Sequence, residues 1–319
     1  MNEKALHRPK IGLALGSGSA RGLAHLGVIQ ALKDADVEID CVAGTGTGAL
    51  IGAIHAAGKL AAFNSLFKRL DLKKAISSFG VALPKSGLID GDRASEVMRT
   101  YIPASSIETL PISFAAVATD LVSGQEIVIT HGDLNDAVRA SLSVPGIFTP
   151  VRRHGRLLVD GSLANPVPVS AARRMGADVV IGVDLNSDMV TRNIEPLLQN
   201  KHAILEQTDL GSWAGGYLQI LKDIRTWLRS QDLPGAVLLR NWTPNEEGLP
   251  NLFEVLLASI NITETHITQT RLKLDQPDML IRPPLGHIHF LEFGSGEEII
   301  EIGYQSTLRQ LTEWTKNTT

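Results

Sequence analysis

Cysteine is almost absent. Cys41 stands alone in 319 residues, so no disulfide can form within the chain. A reducing, cytoplasmic setting is the expectation that follows. Cys41 itself lies in an apolar run, where a buried and inert thiol is expected. Basic charge is not in surplus either. Thirty Lys and Arg face 34 Asp and Glu, a net charge of −4. Without a basic excess to replace phosphate counterions, a nucleic-acid partner is not expected. No uncharged apolar run reaches the about 18 residues of a membrane-spanning helix. The most apolar region, 41–63, is broken by five glycines, His55 and Lys59. Internal repeats, low-complexity linkers, a zinc spacing and a calcium-ligand loop are also missing, so no cofactor or metal is expected.

What remains is a chain able to build a core. Hydrophobic residues make up 44% and charged residues 20%, a balance that excludes wholesale disorder. The opening "MNEKALHRPKIGLALGSGSARG" has basic residues, a short apolar run and then small residues, like a secretory leader. The run IGLAL is too short for one and feeds into a patterned turn, so it reads as a first strand.

Strands and helices alternate. Expected strands are 10–15, 40–43, 113–119, 126–130, 157–159, 177–184 and 278–282. Expected helices are 20–33, 49–57, 134–142, 252–272 and 297–315. Near-continuous apolar strands between helices predict an α/β fold, a three-layer α/β/α sandwich with a parallel-rich central sheet. The whole of 1–319 reads as one domain, with a core at 11–185 and a C-terminal completion at 251–319. Residues 186–250 break the rhythm and read as a mostly helical insertion or lid. Within them, Trp213, Tyr217, Ile220, Leu221, Ile224, Trp227 and Leu228 share one helical face. That helix either packs on the domain or makes peripheral contact with the inner face of a membrane through 213–229.

Three stretches sit where strands end, the place where open α/β sheets bind ligands. In "LGSGSARGLAHLGVI" (15–29), Gly16, Gly18 and Gly22 permit a sharp turn with N–H groups facing an anion, a phosphate or an acyl-transfer oxyanion. The third glycine of a dinucleotide fingerprint is lacking, because Arg21 stands there; this disfavours a nucleotide site without removing it. In "GTGTG" (44–48), Gly44 and Gly48 flank a turn of the G-x-S-x-G kind, but its apex is Gly46, which has no hydroxyl. Thr45 and Thr47 carry hydroxyls, each one residue from the apex and so aimed elsewhere. In "LLVDGSLANPVPV" (157–169), Asp160 ends a strand before a glycine turn. There a carboxylate serves as a general base or simply binds turn amides.

Together and in this order, these stretches resemble the patatin-like phospholipase family, particularly its bacterial, neuropathy-target-esterase-like members. "VATDLVSGQ" (117–125), "VRASLSVPGIFTPV" (138–151), "NLFEVLLASINITETHIT" (251–268) and "DMLIRPPLGHIHFLEF" (278–293) extend the resemblance over most of the chain. It implies a lipid acyl hydrolase that cleaves carboxylic esters with a serine–aspartate dyad and no histidine. By position, Asp160 is then the dyad aspartate, and Gly161 and Ser162 form its loop. Ser17, Gly18 and Ser19 offer oxyanion-hole amides, and Arg21 and Gly22 complete that turn. Gly44, Thr45, Thr47 and Gly48 frame the elbow. Gly46 occupies the nucleophile position without a side chain, so the chain as written is expected to be impaired as an esterase. His25 and His55 are expected to be packing residues, and His287 and His289 to alternate along a strand. A non-enzymatic acyl-lipid-binding or regulatory protein using the same groove remains the alternative.

Overall fold

The computed structural model describes residues 8–67, 99, 106–188, 252–288 and 292–318. Strands β1 (Ile11–Leu15), β2 (Cys41–Thr45), β3 (Ser113–Asp120), β4 (Glu126–Ile129), β5 (Val151–Arg153), β6 (Arg156–Asp160), β7 (Val179–Val183) and β8 (Met279–Ile281) form one mixed sheet. The helices are α1 (Ala24–Asp34), α2 (Thr47–Ala56), α3 (Leu60–Phe67), α4 (Leu134–Ser141), α5 (Val169–Arg174), α6 (Leu252–Asp275) and α7 (Gly296–Thr318). β8, β7, β1, β2 and β3 run parallel; β4 and β6 pair with β3 antiparallel, and β5 pairs with β6 antiparallel.

The apolar runs IGLAL, CVAGT and VVIGV form the centre of the sheet because both of their faces are covered. Alternation along them divides the core. Leu13, Leu15, Val42, Phe114, Ala116, Ile181 and Val183 pack with α1, α2, α4 and α7. Ala14, Cys41, Ala43, Ala115, Val117 and Val180 pack with α5 and Leu272 of α6. This is the three-layer α/β architecture that the sequence predicts. Cys41 is buried, and burial pushes its thiol up to about 11, which leaves it inert at neutral pH.

The periodicity places most elements within a few residues. The short elements β5 and α3 escape it, and α5 follows the Asn165–Pro166 turn, where the sequence also leads into a helix. His287 lies in a turn after Pro283–Pro284 rather than on a strand, and meets Glu298 at 3.1 Å; His289 lies outside the described residues. The helix expected over Trp213–Leu228 falls outside them as well. Among the described residues, no helix is long and apolar enough to cross a membrane.

Helices α1 and α7 touch backbone to backbone. A Cβ on Gly27 would come within 1.9 Å of the Ile300 carbonyl oxygen, and one on Gly303 within 2.2 Å of the Ala24 carbonyl oxygen. Backbone cannot step aside as a flexible side chain would, so Gly27→Ala must push the helices apart. Overpacking of this kind costs about 1–3 kcal/mol. Urea unfolding of Gly27→Ala should show a lower midpoint with an unchanged slope; an unchanged midpoint would mean that the contact is not as close as described.

Candidate active site

The register of β3 explains why residues far apart in sequence meet. Val117 pairs with both Thr45 of β2 and Val128 of β4, so β2 and β4 lie on opposite edges of β3. Ala118 pairs with both Ile127 of β4 and Asp160 of β6, so β6 also lies opposite β4. β2 and β6 therefore share one edge of β3. They run toward each other along it and stop against neighbouring residues, Val117 and Ala118. Whatever follows β2 must face whatever ends β6. Those residues are Gly46 and Asp160.

Gly46 turns the chain from β2 into α2 with φ 58° and ψ −125°, a backbone conformation that side chains of L-residues rarely adopt. Its N–H donates to Ser141 Oγ at 2.9 Å, and Ser141 donates in turn to the Val117 carbonyl. Its carbonyl accepts from the Ala49 and Leu50 amides and starts the helix. A Cβ at this position would lie 3.5 Å from Asp160 Oδ2 and 3.3 Å from Ser17 Cβ. The apex thus points at the carboxylate. The neighbouring threonines do not: Thr45 Oγ1 donates to the Asn165 carbonyl at 2.8 Å, and Thr47 lies under Gly22. Gly22, Gly44 and Gly48 are points of close chain approach, against Thr47, the Ala49 backbone and the Leu15 carbonyl.

Asp160 is 4% exposed. Its N–H donates to the Ser143 carbonyl, its carbonyl accepts from Thr119 Oγ1, and Oδ1 accepts from the Ser162 amide at 2.8 Å. One carboxylate oxygen thus binds a turn amide, and the other faces the elbow. Burial raises it to about 6, against the lowering effect of the Ser162 hydrogen bonds.

The glycine loop is anchored through its carbonyls. The Gly16 carbonyl meets His25 Nε2 at 2.8 Å, the Ser17 carbonyl accepts from Asn186 Nδ2 at 3.3 Å, and the Gly18 carbonyl accepts from the Arg21 amide and from Arg21 Nε. In a trans peptide the N–H points away from the preceding carbonyl. Tying the Ser17 and Gly18 carbonyls into the protein turns the Gly18 and Ser19 amides the other way. Ser19 holds this turn at φ 51°, a conformation non-glycine residues seldom keep. The Ser17 amide does not join them, because it donates to the Pro166 carbonyl at 2.9 Å. Of the three loop amides expected from the sequence, Ser17 is therefore corrected to an anchor. Its hydroxyl is buried and has no hydrogen-bond partner.

Glu264, Asn186 and Ser141 escaped the sequence reading, and Arg21 and His25, which it named, take definite places. Glu264 of α6, 6% exposed, accepts from the Ser162 hydroxyl. Burial and the nearby Asp160 charge push it up to about 7. Arg21, fully buried, is lowered to about 10 by burial and supported by the charges of Glu264 and Asp184. His25, read as a packing residue, is buried and lowered to about 4, so it is neutral and donates to the loop. Asn186 and Ser141 complete the anchoring. A signal for Glu264 existed: Ile260, Glu264, Thr268 and Leu272 recur every fourth residue of α6 and are all buried.

Comparison with known proteins places this geometry in context. Residues 13–173 match the family model described as patatin-like phospholipase. An uncharacterized NTE family protein of Mycobacterium tuberculosis is 30% identical over 92% of this chain and 89% of its own length. Human patatin-like phospholipase domain-containing protein 6 is 26% identical over 92% of this chain and 20% of its own length. Among solved structures, VipD from Legionella pneumophila aligns with a TM-score of 0.44 and 14% identity, covering 96% of this chain and 67% of that one.

Proposed function

The chain belongs to the patatin-like phospholipase family, and from that premise we propose that its site is built to cleave carboxylic esters of lipids through a hydroxyl at position 46 and the Asp160 carboxylate. The observation that carries this reading is the Gly46 apex, whose side-chain position points at Asp160 Oδ2 from 3.5 Å.

With serine at 46, the hydroxyl oxygen adds to the ester carbonyl carbon while its proton passes to Asp160. The carbonyl oxygen becomes an oxyanion between the Gly18 and Ser19 amides. The carbon–oxygen bond to the alcohol then breaks, and Asp160 returns the proton to the leaving alkoxide. Water, deprotonated by Asp160, releases the acyl group in a second round. A carboxylate raised by burial suits this work, since it is a stronger base than an exposed aspartate. The chain as it stands lacks the first reactant, so we read it as an acyl-lipid site with little turnover. The same groove then serves as an acyl-lipid-binding module, the second reading, which the glycine at 46 favours. Contact with a membrane surface through 213–229, which fall outside the described residues, belongs to this proposal.

Titration calorimetry of the chain as it stands with a fatty acid or lysolipid, beside an esterase assay, tests both readings. Binding without turnover supports the scaffold as proposed. Turnover by the unchanged chain would overturn the assignment of position 46, and heat from a nucleotide in place of the lipid would overturn the lipid reading.

A further inference from the structure

Glu264 belongs to none of the three strand-end stretches, yet it is buried against two of them. Ser162 clamps two carboxylates at once, with its amide on Asp160 Oδ1 and its hydroxyl on Glu264 Oε1. The Arg21 charge stabilises that of Glu264, while its Nε holds the Gly18 carbonyl. The charged groups facing Glu264 are thus Asp160 at the end of β6 and Arg21 from the loop after β1. Asp184, after β7, supports Arg21 and pairs with Arg282. Where α5 packs on α6, Arg174 and Arg271 engage Glu126, and Arg271 also pairs with Asp275 of its own helix.

Helix packing does not call for an acid here. A neutral side chain of similar volume would fill the stripe of Ile260, Thr268 and Leu272 without the desolvation cost of a second carboxyl beside the first. We propose that Glu264 is a positioning residue of the ester-cleaving site. Through Ser162 it holds Asp160 with Oδ2 toward position 46, and through Arg21 it couples the base to the loop peptide that presents the Ser19 amide. This rests on the reading of the site given above.

The pair also shares a titration. The two buried carboxyls titrate as a coupled pair, in which the charge of one makes the other hold its proton to higher pH. Once Glu264 ionises, the second negative charge strengthens Asp160 as a base.

The first test needs no catalysis. Carboxyl-carbon NMR titration of the chain as it stands should show two coupled steps. Glu264→Gln should leave one step, and Asp160→Asn should move the Glu264 step to lower pH. The second test uses Gly46→Ser. Its kcat/KM should rise with pH in two steps. Adding Glu264→Gln should leave one step and lower kcat about tenfold with KM little changed, while Glu264→Asp should restore the second step. If Gly46→Ser proves inactive, the ester-cleaving reading falls, but the NMR titration still decides whether Glu264 is coupled to Asp160. If Glu264→Gln fails to fold, Ser162→Ala removes the hydroxyl link to Glu264 and must lower kcat of Gly46→Ser with KM little changed. Independent titrations in the unchanged chain, or a pH profile unmoved by Glu264→Gln, would overturn the proposal.

Discussion

Gly46→Ser should hydrolyse a short-chain chromogenic ester at least roughly a thousandfold faster than the unchanged chain, and a fluorophosphonate should label it at residue 46. Nucleophile and base act as a unit, so restoring one to a site that keeps the other recovers most of the rate. Space is available: a Cβ there meets Ser17 Cβ at 3.3 Å, a contact a small shift relieves, and meets Asp160 Oδ2 at 3.5 Å. An oxygen one bond further can reach the carboxylate. Ser17 Oγ, now buried without a partner, lies beside the added hydroxyl. The gain should have a cost. A side chain at φ 58° and ψ −125° carries about 1–3 kcal/mol of backbone strain, so thermal unfolding of Gly46→Ser should begin at lower temperature. Activity gained with stability lost marks a strained elbow. Stability lost with no activity and no labelling would leave the lipid-binding reading in place.

The two halves of this site differed in how far the sequence revealed them. The elbow, the glycine loop and the Asp160 turn are each encoded within a few residues, because a sharp turn at a strand end demands small residues locally. The central strands were legible for a similar reason, since burial on both faces leaves an apolar run. What joined the three stretches was not local. The meeting of Gly46 and Asp160 depends on β2 and β6 sharing one edge of β3, and pairing partners are not encoded in strand composition. Ser17 showed the same limit. Whether its amide faces a ligand or the protein depends on Pro166, which is far away in sequence. Glu264 was hidden because one acid in a long helix with many polar residues reads as solvated. Only its fourfold spacing with Ile260, Thr268 and Leu272 set it apart. The strand expected at His287 followed from alternation alone, and a turn after Pro283–Pro284 takes its place.

Asp160→Asn, placed in Gly46→Ser, should abolish ester hydrolysis by about a thousandfold or more while making the protein more stable at alkaline pH. The loss follows because an amide cannot take the proton of the attacking hydroxyl, although its oxygen still accepts from the Ser162 amide and keeps the turn. The gain follows from where the carboxyl titrates. In the folded chain burial holds its proton to about 6, against an ordinary value of 3.8. Between these values the native state binds more protons than the unfolded state, so its stability falls as pH rises through that window and stays lower above it. Asparagine carries no such charge. The variant should therefore match its parent near pH 4 and exceed it at pH 8 by on the order of 3 kcal/mol. The difference should grow further as Glu264, no longer beside a like charge, ionises more easily against Arg21. Chemical unfolding at the two pH values measures both arms. Equal stability at both would mean that the Asp160 charge is solvated in the folded chain, and a solvated carboxylate is a poor base for this reaction. A stability gain confined to high pH, matched to lost turnover, would mean that the fold tolerates a buried charge at the one place where its chemistry needs it.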